Sequence, residues 1–323
     1  MLKDYIYFKL PTKEDITQAG ERINPHIHHT PILQSETLNQ IAGCKLFFKC
    51  ENMQKVGAFK SRGAVNAVFS LDKYELQKGV CTHSSGNHAQ ALARAARLKK
   101  VPAYIVMPKN APQVKIDAVK GYGGKITFCE PNLQARESSL SQVMQETKST
   151  EIHPYDNLKV IEGQATAAME IFEELKNLDI IMAPVGGGGL LSGTALSTHY
   201  FSPQTKVIAA EPTNADDAFQ SFYSKKFIPS LDPNTIADGL LTSLGKYSFP
   251  IILKHVNQII TVEEEMIIHA MKLIFQRLKI VVEPSAAVPL AAVLSHPDVF
   301  TNQRVAIILS GGNIDLKLFK TIF

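Results

Sequence analysis

Short apolar runs alternate along this chain with amphipathic segments of helical spacing, a pattern that restricts the folds open to it. The apolar runs predict buried strands at residues 45–51, 79–82, 103–107, 125–129, 180–184, 206–210 and 304–309. The amphipathic segments predict helices at residues 12–26, 62–76, 87–98, 112–120, 133–147, 162–175, 189–199, 263–278 and 285–294. Because strand–helix alternation places helices on both faces of a parallel sheet, we predict an α/β protein. The sequence contains no internal repeat or low-complexity linker, which favours two interleaved lobes.

The composition excludes several function classes. The chain has 323 residues, of which 45% are hydrophobic and 20% are charged, enough for a large core. Its formal charge of +4 includes no dense basic run, so we expect no nucleic-acid partner. The four cysteines have neither metal-type nor disulfide-type spacing and are expected to be buried thiols of a cytoplasmic protein. The N-terminus is unlike a signal peptide and no apolar run has membrane-spanning length, so we expect no membrane partner.

One lysine lies in an unusual stretch, 57–64, which reads G-A-F-K-S-R-G-A. Lys60 has small residues on both sides, so the chain can turn tightly there and a ligand can approach the backbone. An amine in such a place can form a Schiff base with a carbonyl if burial or a neighbouring charge lowers its pKa. A solvated lysine in front of an amphipathic helix is the alternative.

Four consecutive glycines, Gly186, Gly187, Gly188 and Gly189, lie between a predicted strand and a predicted helix. Their N–H groups can converge on one point, and the start of the following helix adds partial positive charge. This glycine loop therefore suits a phosphate monoester, although it lacks the lysine of a Walker A loop and the acidic residue of a dinucleotide fingerprint. A purely structural turn is the alternative.

Polar residues follow two other predicted strands. Ser310-Gly-Gly-Asn313 comes after the last strand, and open α/β sheets bind ligands at the carboxyl ends of their strands. Ser310 can therefore direct its hydroxyl at a ring nitrogen, and Asn313 can line the same pocket. Ser84, Ser85 and Asn87 follow the strand at 79–82 and open a helix, which suits a substrate carboxylate. A helix N-cap with spare serines is the alternative there.

A short acidic loop runs from Glu211 to Asp217. Two carboxylates with backbone carbonyls between them can hold a hard cation such as Mg²⁺ or Ca²⁺. A solvated acidic turn is the alternative. His83 and His88 have no metal-type spacing, so we interpret both as structural.

A Schiff-base lysine, a phosphate loop and a hydroxyl for a ring nitrogen together describe pyridoxal phosphate. On these residues the chain resembles the fold-type II pyridoxal-phosphate enzymes, specifically the serine racemase and serine/threonine dehydratase family. The likeness extends from Thr30 to Asn313 and includes K-x-G-x-F-K from Lys55, S-S-G-N-H at 84–88, the glycine loop, A-E-P at 210–212, T-I-A-D-G at 235–239 and E-P-S at 283–285. It implies a two-lobed, tryptophan synthase β-like homodimer. Its large cofactor-binding domain would comprise 1–81 and 153–323, and its small mobile domain 82–152.

The resemblance implies a role for each cofactor contact. Lys60 would form the Schiff base and act as acid and base on one face of the ring. Asn87 would contact the 3-hydroxyl, the glycine loop the phosphate, and Ser310 the ring nitrogen. Because a serine hydroxyl cannot stabilise a charged pyridinium as a carboxylate does, the ring is expected to be a weaker electron sink.

Ser85 bears on the choice of reaction. In serine racemases the matching serine lies on the cofactor face opposite the lysine, whereas threonine deaminases usually have alanine there. Racemisation needs one group that removes the α-proton and another that returns it from the far side, while β-elimination of water needs one face only. Related 3-hydroxyaspartate dehydratases also carry S-S-G-N, so both chemistries remain open. The resemblance places the substrate against Ser84, Ser85, Gly86, Asn87, His88 and Arg136.

The resemblance also implies two further ligands. A structural divalent cation, Mg²⁺ or Ca²⁺, would bind Glu211, the Ala215 carbonyl and Asp217. Animal serine racemases bind ATP as an activator at the dimer interface, and the matching residues here are Lys55, Gln90, Tyr122, Lys279 and Asn313. Thr17 and Glu36 depart from that pattern. Since the chain ends soon after Asn313, we do not expect the regulatory domain of biosynthetic threonine deaminases.

The reaction expected from this resemblance is racemisation of L-serine, together with dehydration of L-serine to pyruvate and ammonia. One alternative is a dehydratase of threonine or threo-3-hydroxyaspartate. A more remote one is a non-catalytic protein that binds pyridoxal phosphate or another phosphate ligand.

Overall fold

The computed structural model describes residues 8–84, 86–111 and 113–323. Ser85 and the first residue of the predicted 112–120 helix therefore lie outside the described residues. The strands of the described chain are β1 (Ile32–Leu33), β2 (Lys45–Cys50), β3 (Val80–His83), β4 (Ala103–Pro108), β5 (Lys125–Cys129), β6 (Thr150–Glu151), β7 (Ile180–Pro184), β8 (Lys206–Pro212), β9 (Gln258–Val262) and β10 (Arg304–Leu309).

The α-helices are interspersed among these strands. They are α1 (Lys13–Ile23), α2 (Glu36–Ala42), α3 (Lys60–Ser70), α4 (Lys73–Gln77), α5 (Asn87–Lys99), α6 (Gln113–Gly121), α7 (Leu133–Thr147), α8 (Leu158–Glu174), α9 (Gly189–Phe201), α10 (Asp217–Ser224), α11 (Ser248–His255), α12 (Glu264–Leu278), α13 (Pro284–Ser295), α14 (Pro297–Phe300) and α15 (Leu316–Ile322).

The strands form two sheets. The larger has the order β1-β2-β10-β7-β8-β9, in which only the β1–β2 pair is antiparallel. The smaller has the order β5-β4-β3-β6 and is parallel throughout. Two mostly parallel sheets flanked by helices confirm the predicted α/β architecture. Crossover connections bring the carboxyl ends of β7 and β10 to the same edge of the large sheet, next to the start of α3.

Helices cover both faces of the large sheet, and the strand residues show why. Side chains of a strand alternate between faces, so Leu46 and Phe48 pack into one hydrophobic cluster while Phe47 packs into another. The same alternation separates Ile180 from Ile181 on β7. Both faces of the large sheet are therefore buried, as is usual for a mainly parallel sheet.

Capping residues set the helix starts, and they correct two predicted helices. Thr12 and Asp15 form the predicted capping box of α1. The helix predicted at 62–76 is wrong as one segment, because Asp72 begins a second helix by accepting from its N–H groups. Likewise α8 begins four residues before its predicted start, where the Asn157 side chain caps it.

Several elements carry no strong sequence signal and were not predicted. They are short segments or segments without clear caps, namely β1, α2, β6, α10, α11, β9, α14 and α15. Within the described part of the chain, no helix combines the length and apolar character needed to cross a lipid bilayer.

Candidate active site

The stretch 57–59 and the turn after β10 pair through their backbones. Ala58 and Gly311 form an antiparallel bridge, and the Phe59 N–H donates to the Ser310 carbonyl at 3.0 Å. Gly57 has a φ of +69°, and a Cβ there would lie 2.7 Å from Oδ1 of Asn313. The left-handed turn therefore needs glycine just before Lys60, and it places two separately predicted motifs in contact.

Lys60 is the first residue of α3, so the predicted helix start at residue 62 is two residues late. Its Nζ donates to the Pro154 carbonyl at 2.8 Å and lies 5.1 Å from the ring of Phe59. Burial lowers the pKa of Lys60 to about 8, and the Glu283 carboxyl only partly opposes this shift. The amine thus has a substantial neutral fraction near neutral pH, as a nucleophile for a carbonyl requires.

The glycine loop follows β7 and begins α9, as predicted. Its four glycines are buried, and Gly188 has a φ of +83°. A Cβ at Gly187 would lie 2.4 Å from the ring of Tyr155, and one at Gly188 would lie 2.8 Å from Ser248. Neighbouring protein atoms therefore exclude side chains from the loop. Among the described residues, no acceptor takes a hydrogen bond from the N–H groups of Gly186 to Gly189.

Asn87 and Asn313 lie beside one buried carboxyl group, and Gly311, which follows Ser310, approaches the same group. Asn87 Nδ2 donates to both carboxyl oxygens of Glu283 at 3.0 Å, and Asn313 Nδ2 donates to Asn87 Oδ1 at 2.8 Å. Ser310 is 2% exposed and its hydroxyl has no hydrogen-bond partner among the described residues. Burial raises the pKa of Glu283 to about 7, and the charge of Asp238 adds to this increase.

The described residues of the predicted substrate site lie just after β3, on the first turn of α5 and on α7. Gly86, at the start of α5, has open space where a Cβ would lie, and its N–H donates to the Ser84 hydroxyl at 3.3 Å. His88 is instead buried, with Nε2 2.9 Å from the Ile152 carbonyl, and burial lowers its pKa to about 3. Arg136 on α7 has a buried Nε without a partner in the described chain. That donor is suited to an incoming carboxylate.

The end of β8 and the start of α10 bring two carboxyl groups together, because Glu211 is the last but one residue of the strand and Asp217 the first of the helix. Glu211 accepts from the N–H groups of Ala218 and Phe219 at 3.1 and 2.8 Å. Neither carboxyl oxygen of Asp217 has a donor in good hydrogen-bonding geometry among the described residues, and the side chain is buried. The Ser230 hydroxyl and the Leu244 N–H lie near enough to lower its pKa only in part. Burial raises the pKa of Asp217 to about 6, and burial together with the charge of Asp217 raises that of Glu211 well above its usual range. Orphaned oxygens beside a second carboxyl group fit a hard cation.

Three of the five predicted ATP residues share a cavity of about 500 Å³. Gln90, Tyr122 and Asn313 line it together with Val56 and Gly57. The other two predicted residues, Lys55 and Lys279, do not line the cavity. Lys55 directly precedes Val56 in the chain, and Lys279 follows the last residue of α12 in a left-handed conformation.

Two residues of the site received no role from the sequence. Glu283 appeared in the E-P-S motif only as part of a resemblance, and its contact with Asn87 spans 196 residues of chain. Tyr155 lies against the glycine loop, and its ring centroid is 6.0 Å from Lys60 Nζ. For Glu283, the sequence offered one signal, a carboxylate in front of a helix that starts with proline. That pattern alone predicts a helix terminus and gives no role at the site.

The residues present fit pyridoxal phosphate. The unpaired N–H groups of the glycine loop suit its phosphate, and the buried Lys60 amine suits its aldehyde. The Ser310 hydroxyl remains available for a ring nitrogen.

Comparison with known proteins agrees with this geometry. The profile of the family described as "Pyridoxal-phosphate dependent enzyme" matches residues 23–311. The chain is 50% identical over 307 residues to a beta-hydroxyaspartate dehydratase of Paracoccus denitrificans (strain Pd 1222), covering 95% of this chain and 98% of that protein. It is also 50% identical over 316 residues to a serine racemase of Dictyostelium discoideum, covering 96% and 97%. The crystal structure of the Dictyostelium serine racemase superposes with a TM-score of 0.91 at 50% identity, over 94% of this chain and 99% of that one.

Proposed function

The chain belongs to the pyridoxal-phosphate-dependent enzyme family, and from this premise we propose that it is a serine racemase with L-serine dehydratase activity. It would interconvert L- and D-serine and convert L-serine to pyruvate and ammonia. The observation that carries the proposal is the Lys60 amine, whose pKa of about 8 and position between the glycine loop and Ser310 suit amino-acid chemistry on this cofactor.

Each cofactor contact is assigned to residues of the large-sheet edge. We assign the phosphate to Gly186–Gly189, the ring nitrogen to Ser310 and the 3-hydroxyl to Asn87. When bound, pyridoxal phosphate supplies an electron sink for the pair released as a bond to the substrate α-carbon breaks. Asn87 is held by Glu283 and Asn313, which supports a fixed orientation of its amide.

Lys60 would move the proton on one face of the substrate. Among the described residues its Nζ has one hydrogen-bond acceptor, the Pro154 carbonyl, and no carboxylate is in contact with it. An amine with a pKa of about 8 can both accept and return a proton near neutral pH. Lys60 is half-buried, and the rings of Phe59 and Tyr155 beside it limit the access of water to its amine.

Ser85 would serve the opposite face. This part of the proposal depends on the sequence, since Ser85 lies outside the described residues. A hydroxyl there and an amine at residue 60 provide the two opposed groups that inversion at the α-carbon needs. Ser84, Gly86, Asn87, His88 and Arg136 would form the substrate-binding wall, with the Arg136 guanidinium as a charged donor for the substrate.

The remaining assignments concern regulation and assembly. We propose a Mg²⁺ or Ca²⁺ ion at Glu211, the Ala215 carbonyl and Asp217, supported by the orphaned oxygens of Asp217. ATP is proposed as an activator that contacts Gln90, Tyr122 and Asn313 in their shared cavity, with Lys55 and Lys279 completing the site.

We propose that residues 1–81 and 153–323 form one lobe and that residues 82–152 form a second, mobile lobe. We also propose a cytoplasmic homodimer, which the four free, buried cysteines suit.

A second function is supported by one comparison. The beta-hydroxyaspartate dehydratase of Paracoccus is as identical to this chain as the Dictyostelium serine racemase. A dehydratase of threo-3-hydroxyaspartate, or of threonine, is therefore the alternative. It would use Lys60 on one face without needing a proton donor on the other.

One incubation series distinguishes these functions. The holoenzyme is given L-serine, D-serine, L-threonine or 3-hydroxyaspartate, with and without Mg²⁺ and ATP, and both keto acid and enantiomer are measured. We expect D-serine and pyruvate from L-serine. Absence of D-serine would refute the racemase, and rapid keto-acid release from 3-hydroxyaspartate alone would favour the dehydratase. A protein that acquires no visible absorbance with the cofactor would instead be a non-catalytic binder.

Replacing Ser85, the group proposed on the face opposite Lys60, tests racemisation separately from elimination. Ser85→Ala is expected to suppress D-serine formation by at least about a hundredfold, the usual contribution of an acid–base group. Pyruvate formation from L-serine should fall much less, because elimination needs only Lys60. Equal losses in both would contradict proton transfer from opposite faces.

A further inference from the structure

Two helices that begin beside the glycine loop end beside each other, near the first residues of β8. α9 starts at Gly189, and α11 starts at Ser248, whose hydroxyl donates to the Gly187 carbonyl at 2.8 Å. His199 lies in the last turn of α9 and His255 is the last residue of α11. Ten residues of helix separate His199 from Gly189, which corresponds to about 15 Å. The two histidines are thus remote from the catalytic cleft.

Their geometry suits a shared ligand. The ring centroids of His199 and His255 are 4.7 Å apart, and both residues line a cavity of about 230 Å³. With metal–nitrogen bonds of about 2.0–2.1 Å, two imidazoles that bind one ion at an angle of about 90–110° have centroids roughly 4.5–5.2 Å apart. The observed separation lies within that interval.

His255 also has a nitrogen that is open to a ligand. Nε2 of His255 is buried and has no hydrogen-bond partner among the described residues. Burial, followed by the charges of His199 and Lys254, lowers the pKa of His255 to about 4, so its imidazole is neutral with a free lone pair at neutral pH. Both residues lie at helix C-termini, whose partial negative charge favours a cation.

We propose that His199 and His255 together bind a borderline divalent cation such as Zn²⁺, Ni²⁺ or Cu²⁺. No group of three histidine, cysteine, aspartate or glutamate side chains gathers anywhere in the described chain, so water completes the coordination. Such a site exchanges its ion readily. Its nitrogen ligands distinguish it from the oxygen ligands proposed for Mg²⁺ at Glu211 and Asp217.

Two other interpretations of this cluster are weaker. Lys206 and Lys254 also line the cavity, and their amines suit an anion. Both side chains are exposed, however, so solvent and salt screen their repulsion of a cation. Histidines that merely complement helix dipoles need no shared cavity, whereas His255 has a buried Nε2 without a partner among the described residues and lines one cavity with His199.

The test uses the cofactor-loaded full chain and Zn²⁺. Calorimetric titration compares wild type with His199→Gln and His255→Gln, and with His269→Gln as a control for an exposed histidine on α12. We expect each of the first two variants to lose one equivalent of Zn²⁺ or to bind it at least about tenfold more weakly. His269→Gln should bind as wild type does. Retained visible absorbance of the cofactor shows that each variant is folded. Because His199 is exposed, His199→Gln should fold, so the test remains valid even if His255→Gln unfolds.

A spectroscopic arm identifies the ligands. Electron paramagnetic resonance of bound Cu²⁺ should show nitrogen coupling from two imidazoles in wild type and from at most one in either variant. Unchanged Zn²⁺ binding in both variants, or a Cu²⁺ spectrum with oxygen ligands only, would overturn the proposal. Inorganic phosphate that binds to wild type and is weakened by His255→Gln, without any Zn²⁺ effect, would overturn it in favour of an anion site.

Discussion

Arg62 and Lys60, two residues apart at the start of α3, have opposite electrostatic surroundings. Arg62 is fully buried and donates to both oxygens of Glu51 and of Glu170, at 2.6–2.9 Å. Those carboxylates raise the pKa of Arg62 despite its burial, and the buried Lys49 also binds Glu170 at 2.7 Å. Within the part of the chain that the structure describes, Lys60 instead donates only to a backbone carbonyl, and burial lowers its pKa.

The difference separates structural charges from functional ones. A buried ion that the protein neutralises fully has no capacity left for a ligand, whereas an unneutralised one is poised to react or to bind. The charge cluster of Arg62, Glu51, Glu170 and Lys49 therefore anchors the first turn of α3. Lys60, and the Glu211–Asp217 pair, remain available for molecules that come from outside the chain.

Removal of the reactive amine should have the largest effect. We expect Lys60→Ala to lose the visible absorbance of the bound cofactor and to reduce turnover of L-serine by at least about a thousandfold. Lys73→Ala, at an exposed position on α4, serves as the control and should change neither. Substantial turnover by Lys60→Ala would mean that the unneutralised amine is not the reactive group.

Breaking the neutralised cluster should instead affect stability. Arg62→Met leaves Glu51 and Glu170 buried without that partner, so the free energy of unfolding should fall by about 3–5 kcal/mol. Lys60→Met, which removes an amine without a carboxylate partner in contact, should leave it unchanged or raise it. Denaturant unfolding of the cofactor-free proteins measures both. Equal destabilisation by Arg62→Met and Lys60→Met would contradict the distinction between a neutralised structural charge and an unneutralised functional one.

The acidic pair should respond to cations in a pH-dependent way. The raised pKa of Asp217, about 6, means that its protonated form stabilises the folded chain at low pH and that this contribution is lost as pH rises through 6. A divalent cation replaces the proton, so Mg²⁺ or Ca²⁺ should raise the melting temperature by several degrees at pH 8 and by little at pH 5.

Asp217→Asn tests this assignment against Asp216→Asn, its neighbour. Asp216 accepts a hydrogen bond from Gln220 and already has a partner. The Asp217 variant should lose the cation-dependent shift of the melting temperature, and the Asp216 variant should keep it. A shift that survives in Asp217→Asn would place the cation elsewhere.

The sequence predicted where the local segments of the candidate site lie relative to the strands and helices. Lys60, the glycine loop and Ser310 each follow a strand whose apolar run is readily recognised, and parallel strands bring such ends to one edge. The residues that contact these segments depend instead on how distant parts of the chain pack together. The contacts of Arg62 with Glu170 and of Asn87 with Glu283 join residues 108 and 196 positions apart, which no local pattern specifies.

Helix boundaries were missed where a side chain rather than an apolar pattern ends the helix. Val65, Val68, Phe69 and Leu71 continue the periodicity past Ser70, but Leu71 is extended and Asp72 caps a new helix. Likewise the sequence alone could not distinguish a solvated Lys60 from a buried one. Its low pKa arises from burial among segments distant in the chain.

The pKa of Lys60 in the cofactor-free protein tests the central distinction most directly. Trace acetylation at a series of pH values, read by mass spectrometry of the peptide that contains Lys60, reports the neutral fraction of that amine, with exposed Lys73 as the internal reference. The reactivity of Lys60 should be half-maximal near pH 8 and level above it. A rise that continues to about pH 10, where an ordinary lysine titrates, would contradict the account.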